Sequence, residues 1–294
     1  MKKLSQLYMD ARRDLSIRED LQTASLMARD ILCHATGKTK EKLLSCLETY
    51  ATDSECTTVE RCVARAMMGE PLAYVIGQWD FYGMTLHVSP AVLIPRDDTC
   101  AVTDLAIKQA LFLQETPRIL DLCTGSGCIG LAVANRVKDA RVTLADISQE
   151  AIVVAKKNIT AQKLSGRVSC VRADALGEPA AFLGKFDMII SNPPYVTGQE
   201  MEELQASVKN YEPHLALYGG PDGLDFYRAI AKNYAKCLKP GGYLCFEFGM
   251  GQGDDVCGIL EMNGYTILER SRDYNDRERA VIAQYSRKEN EYGY

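Results

Sequence analysis

The stretch RILDLCTGSGCIGLAVA, from Arg118 to Ala134, decides the fold. A short run of branched apolar residues is followed by Gly125, Gly127 and Gly130, and then by a helix-forming segment. Gly-x-Gly-x-x-Gly between a strand and a helix lets the backbone approach a nucleotide closely and presents a helix N-terminus to it. The spacing alone also fits a dinucleotide enzyme or a plain strand-to-helix turn, so the neighbouring residues have to choose. Asp121 ends the strand just before the loop, where its charge repels a pyrophosphate but suits a cationic amino acid. Asp146 ends the next apolar run, VTLAD, at the separation where an acid accepts hydrogen bonds from ribose hydroxyls. An adenosine with a positively charged far end is S-adenosylmethionine. Asp174, which closes VRAD, is placed either to reach the adenine amino group or to cap a helix.

Outward from this stretch, apolar strand-like runs alternate with helical segments: RVTLAD, RVSCVRAD, FDMIISN and GYLCFEFG, separated by segments such as SQEAIVVAKKNITAQ. That order predicts an α/β fold with a mostly parallel sheet covered on both faces. The tail YTILERSRDYNDRERAVIAQY adds two strands about a polar turn, an antiparallel edge. Residues 1–72 follow a helical period, with Leu21, Ala24, Ser25, Ala28, Ile31 and Leu32 on one face. They predict a small helical bundle. Residues 73–92 contain QWDFYGMTLHV, which alternates about a turn and predicts a β-hairpin linker. Residues 93–294 form the larger domain.

The chain has 294 residues, 47% of them hydrophobic and 25% charged, as in ordinary soluble proteins. Its net charge of -5 argues against a general nucleic-acid binder. The N-terminus lacks the apolar core of a leader, and no run spans a bilayer, so the expected setting is the cytoplasm. Eleven cysteines form no CxxC pair, and with three histidines a metal site has little to draw on. The cysteines read as reduced, small hydrophobic residues.

DMIISNPPYVTG, from Asp187 to Gly198, carries the chemistry. Pro193 and Pro194 lock φ, lack N–H groups and restrict the residues before them. The segment lies at the carboxyl end of a strand, where open parallel sheets bind ligands. Its backbone carbonyls, the side-chain carbonyl of Asn192 and the face of Tyr195 form a receptor for a planar NH₂ group. Asn192 and the Pro193 carbonyl hold both N–H bonds of an amide and aim its nitrogen at the sulfonium methyl, which puts Asn192 in the cofactor set and the substrate set alike. Stacking on Tyr195 fixes the plane.

The chain resembles the protein-(glutamine-N5) methyltransferases that modify peptide chain release factors, the PrmC/HemK family. The resemblance rests on PLAYVIGQWDFYG, LHVSPAVLIPR, DLCTGSGCIGLAVA, DMIISNPPYV, YEPHLALYGGPDGLDFYRAI and EFGMGQG. It implies a class I methyltransferase fold, Rossmann-like with a seven-stranded sheet, behind an N-terminal helical domain; since residues 1–72 carry no chemistry of their own, holding the release factor is the expected task of that domain. The implied substrate is the glutamine of the Gly-Gly-Gln loop of class I release factors, and the implied product is S-adenosylhomocysteine. Asn192, Pro193, Pro194 and Tyr195 become glutamine contacts, with Asn192, Pro193 and Tyr195 catalytic. Cys123, Thr124, Gly125, Ser126 and Gly127 become the cofactor loop, with Asp146 on the ribose. No metal, direct nucleic-acid contact or membrane is implied. Two positions depart from the family pattern: Cys123 replaces a glycine, and Cys100 replaces an acid in PRDDTC. Rival readings are a nucleic-acid amino methyltransferase, which presents a similar corner to a flipped base, and a protein that holds the cofactor without turnover.

Overall fold

The computed structural model describes residues 2–113 and 115–286, which fall into two compact units. In chain order, helices α1 (Leu4–Leu15), α2 (Leu21–Thr36), α3 (Lys40–Ser45), α4 (Asp53–Met67) and α5 (Leu72–Ile76) come first. The hairpin β1 (Gln78–Phe81) and β2 (Met84–His87) and helix α6 (Cys100–Ala110) follow. Then come β3 (Arg118–Leu122), α7 (Cys128–Arg136), β4 (Arg141–Asp146), α8 (Gln149–Ala161), β5 (Val168–Arg172) and β6 (Phe186–Ser191). The chain continues through α9 (Gly198–Glu203), α10 (Ala206–Tyr211), α11 (Asp225–Asn233), β7 (Leu238–Glu247) and α12 (Gly253–Met262). It ends with β8 (Tyr265–Arg272) and β9 (Glu278–Tyr285).

The first unit comprises residues up to Gln78 and the segment Gln205–Tyr211. Asp20 starts α2 by accepting the N–H bonds of Gln22 and Thr23, and Gly37 ends it at φ 64°. Thr52 and Glu55 form a capping box at the start of α4. Leu4, Leu7, Ala11 and Leu15 of α1 pack with Ala24, Ala28, Ile31 and Leu32 of α2 and Val59 and Cys62 of α4. The expected α2 face is thus buried at Ala24, Ala28, Ile31 and Leu32, with Ser25 half-buried and Leu21 exposed.

The boundary expected at residue 72 falls later, and the reason is local. Pro71 and Gly77 bracket LAYVI as helix α5, whose Val75 packs into the helical core. Arg65 clamps it, donating to the Tyr74 carbonyl at 3.1 Å, the Val75 carbonyl at 3.0 Å and the Glu70 carboxylate. The hairpin that reads as a linker belongs mostly to the second unit, which runs from Trp79. The expected span 93–294 also extends past the described residues, at 287–294.

The second unit is built on a seven-stranded sheet of order β5-β4-β3-β6-β7-β9-β8. β5, β4, β3, β6 and β7 are parallel, and β9 runs antiparallel between β7 and the edge strand β8. Strand alternation splits the core in two. Ile119, Met188, Ile190 and Cys245 face α6, α7 and α8, whereas Leu120, Ile189, Leu244 and Phe246 face α11 and α12. The chain leaves β3 toward β4 and β5, then returns to β6 on the other side, so the switch point lies between β3 and β6. All eleven cysteines are free. Among the described residues no helix is long and apolar enough to cross a membrane, and no acid, cysteine and histidine cluster is grouped to hold a metal.

Candidate active site

Beyond the carboxyl ends of β3, β4 and β6 lies a cleft, one wall of which is the loop after β3. Thr124 N–H donates to the Ala145 carbonyl at 3.0 Å, and the Thr124 hydroxyl donates to Asp121 Oδ2 at 2.6 Å. Gly130 N–H reaches the same oxygen at 2.9 Å. Gly130 must be glycine because a Cβ there would stand 2.3 Å from Leu144 Cδ2 and 3.0 Å from Asp121 Cβ. Asp121 is completely buried, and burial raises it to about 7 against the opposing Thr124 and Gly130 hydrogen bonds. It lies beneath the loop and is not among the residues that line the cleft, although its Oδ1 has no hydrogen-bond partner in the protein. Its role in this geometry is to shape the loop.

Asp146 does line the cleft. Its Oδ2 accepts Gly125 N–H at 2.8 Å and its Oδ1 accepts Ser148 N–H at 2.9 Å, while burial pushes the carboxyl above its usual range. Cys123, Thr124, Gly125, Ser126, Asp174 and Asn192 share the lining, and Gly127 does not. Cys123 holds a left-handed φ of 61°, strained for a residue with a Cβ. Asp174 caps no helix; its Oδ1 accepts Leu176 N–H at 2.9 Å within a turn. The apolar lining comes from Ile129, Ile147, Ala151, Ala175, Leu176 and Phe226.

The opposite wall is the corner after β6. Ser191 Oγ donates to the Leu122 carbonyl at 2.7 Å and ties the end of β6 to the end of β3. Asn192 Nδ2 points to Thr99 Oγ1 at 3.4 Å. Asn192 and Pro194 line the cleft; Pro193 and Tyr195 do not. Tyr195 is half-buried against the α11–α12 core, and burial raises its hydroxyl well above the usual tyrosine range. Its ring is therefore a backing for the corner and not a platform within the cleft. Not all the carbonyls at this corner are free. Tyr195 O accepts from Gln252 Nε2 at 3.2 Å, and Gly219 lies so close that a Cβ would meet Pro194 O and Tyr195 Cα at 2.6 Å each.

Four residues that the sequence reading missed assemble these walls. Glu212 is buried and binds both the Arg96 guanidinium and Ile94 N–H, the latter at 3.2 Å, joining the VLIPR and YEPH segments. Asn158 of α8 donates to the Ser126 carbonyl at 2.8 Å and exchanges hydrogen bonds with the His87 backbone, anchoring the loop to β2. Gln252 holds Tyr195, and Glu247 lies buried behind Thr99 and Asn192. Contacts that span 71, 57 and 118 positions leave no periodic signal in a single sequence.

Residues 5–77 match the family model described as PrmC N-terminal domain, and residues 103–217 match Methyltransferase small domain. The release factor glutamine methyltransferase of Clostridium acetobutylicum is 41% identical over 213 residues, covering 72% of this chain and 74% of that protein. Its counterpart in Bacteroides thetaiotaomicron is 32% identical over 284 residues, covering 96% and 99%. A solved methyltransferase structure from Pyrococcus furiosus aligns with a TM-score of 0.50 at 17% identity, over 76% of this chain and 98% of that one. The last likeness concerns the fold alone.

Proposed function

Because the chain belongs to the release factor glutamine methyltransferase family, we propose that it moves a methyl group from S-adenosylmethionine to N5 of a glutamine. That glutamine is the one in the Gly-Gly-Gln loop of class I peptide chain release factors. One juxtaposition carries the reading: Asn192 and Pro194 line the same cleft as residues 123–126 and Asp146.

The residues present fit S-adenosylmethionine. A carboxylate offers about four lone-pair sites, and the backbone hydrogen bonds to Asp146 engage one on each oxygen. Ser126 Oγ is buried next to the cleft with no partner in the protein. Asp146 is assigned to the ribose hydroxyls, Asp174 to the adenine amino group and the backbone of residues 123–127 to the amino acid end. When bound, S-adenosylmethionine supplies an electrophilic sulfonium methyl.

The protein's own task is to present a poor nucleophile. A carboxamide nitrogen shares its lone pair with the carbonyl, so its attack depends on direction. Asn192 Oδ1 and a backbone carbonyl of the Pro193–Pro194 pair accept its two N–H bonds and turn the remaining electron density toward the cofactor wall, while Tyr195 stiffens the corner from behind. Each hydrogen bond contributes about 0.5–1.5 kcal/mol net, whereas orienting two bound reactants contributes roughly 7–11 kcal/mol. Positioning is therefore the larger effect. The amide proton is strongly acidic once nitrogen has bonded to carbon, and it leaves to water.

The helical unit is assigned to holding the release factor. Exposed Ile17 and Met68 flank Arg18, whose Nη1 donates to the Met67 carbonyl at 2.5 Å. Ile17→Asp with Met68→Asp raises KM for intact release factor and leaves KM for a short Gly-Gly-Gln peptide unchanged. Equal KM increases for both substrates contradict this assignment. The activity itself is read by mass spectrometry of the Gly-Gly-Gln peptide after incubation with protein and cofactor. One added methyl on the glutamine is expected. An unmodified peptide, or equal transfer to naked DNA or ribosomal RNA, overturns the reading.

A further inference from the structure

The assignments above leave one end of the cofactor without a charged partner. Its amino acid carries a carboxylate as well as an ammonium group, and three N–H groups of the loop that faces it are already taken. Thr124 N–H is spent on the Ala145 carbonyl at 3.0 Å, Gly125 N–H on Asp146 at 2.8 Å and Gly127 N–H on the Thr124 carbonyl at 2.8 Å. Asp146 and Asp174 add two acids to the same cleft, and both repel a carboxylate. Among the described residues that line the cleft, Arg96 is the one cation.

Arg96 is held in place by a buried acid. Glu212 is 4% exposed; one carboxylate oxygen accepts from Arg96 Nη2 and the other accepts Ile94 N–H at 3.2 Å. An acid this buried is costly unless a cation answers it, so the pair fixes one edge of the guanidinium. A guanidinium has five N–H donors in a rigid fork. Among the described residues Glu212 is the one acceptor that the Arg96 side chain meets, and that side chain stays 43% exposed. Donors left in such a fork suit a second carboxylate, which takes two parallel N–H bonds. The backbone ties Arg96 to the corner as well. Its carbonyl accepts Thr99 N–H at 3.1 Å, and Thr99 Oγ1 meets Asn192 Nδ2 at 3.4 Å.

We propose that Arg96, held by Glu212, binds the carboxylate at the amino acid end of the cofactor. This rests on the S-adenosylmethionine reading of the cleft. The cofactor is then anchored at two points, the ribose hydroxyls on Asp146 and the carboxylate on Arg96, and the sulfur that joins the two ends is kept from drifting. Glu212 touches no ligand in this scheme. It is a positioning residue that stops the fork from turning away.

The test is isothermal titration with S-adenosylhomocysteine and with its decarboxylated analogue, which keeps the thioether and the ammonium group. Arg96→Met is expected to raise Kd for S-adenosylhomocysteine about tenfold to a hundredfold, the scale of charge-assisted hydrogen bonds, and to move Kd for the analogue by less than about twofold. Arg96→Lys keeps the charge without the fork and falls between wild type and Arg96→Met. Since Arg96→Met leaves Glu212 buried without its cation, Arg96→Met combined with Glu212→Gln guards against a folding defect and repeats the same ligand-selective loss. Glu212→Gln alone gives a smaller loss for S-adenosylhomocysteine and none for the analogue. Equal losses for both ligands, or no loss for either, overturn the proposal. So does a loss confined to a Gly-Gly-Gln peptide titrated onto the S-adenosylhomocysteine complex. None of these titrations needs methyl transfer, so a wild type that binds S-adenosylhomocysteine yet never methylates release factor sinks the proposed function alone.

Discussion

Along residues 123–130, carboxylates at neighbouring strand ends hold the Gly125 and Gly130 N–H groups in place; at residues 192–195, prolines remove N–H groups and distant residues press the backbone into shape. The first wall is local in sequence: Asp121, Thr124, Gly130 and Asp146 lie within 25 positions of one another and interlock through short hydrogen bonds. The second depends on Thr99, Gly219 and Gln252, contributed by three separate segments. A ligand wall can thus be set by one strand–loop–helix unit, whereas a corner that aims an amide is held by the whole sheet. Changes to the first wall are expected to alter cofactor affinity, and changes to the second to alter turnover.

The largest expected effect separates the two walls outright. Asn192→Ala lowers kcat on the order of a hundredfold while cofactor Kd, measured by isothermal titration, stays within about twofold. A matching loss in cofactor affinity merges the walls and breaks the comparison. Glycine substitutions sharpen it next. Gly219→Ala forces a Cβ against Pro194 O and Tyr195 Cα, and overpacking of this kind costs about 1–3 kcal/mol. Lower kcat and a lower Tm with intact cofactor binding are expected. Gly130→Ala, crowding Leu144 and Asp121, is expected to raise cofactor Kd instead.

Asp146→Ala removes the acceptor from Gly125 and Ser148 as well as from the ribose, and is expected to weaken cofactor binding by about 1–3 kcal/mol. An unchanged Kd removes Asp146 from the site. The smallest effect is Cys123→Gly. Relieving a left-handed residue at φ 61° returns about 1–2 kcal/mol, less about 0.5–1 kcal/mol for the added freedom of the unfolded chain. A Tm rise of a few degrees by calorimetry is expected; a fall shows that the Cys123 side chain contributes packing that outweighs its strain.

The same contrast explains what could be read from the sequence. The α/β order, the antiparallel strand pair and the loop wall follow from signals confined to short windows: Ile119 and Leu120 alternate between the two core layers, and glycine spacing marks the turn. Asn192 stands out because two prolines follow it. The first unit's boundary did not stand out, since LAYVI is too short to show a helical period and its tie is the Arg65 side chain. Asp121 was expected to touch ligand because charge at a strand end looks accessible; that it lies under the loop depends on Gly130 letting the helix come close. Tyr195 looked like a platform, but packing against the α11–α12 core drew it behind the corner. Glu247 and Glu212 read as ordinary charged residues because nothing nearby in sequence reveals their burial.

A crystal structure with S-adenosylhomocysteine and a Gly-Gly-Gln peptide tests most directly whether the two walls converge on one amide. The account predicts the glutamine nitrogen about 3 Å from Asn192 Oδ1 and facing the sulfur. A peptide amide bound elsewhere, or met by Asn192 Nδ2, contradicts it.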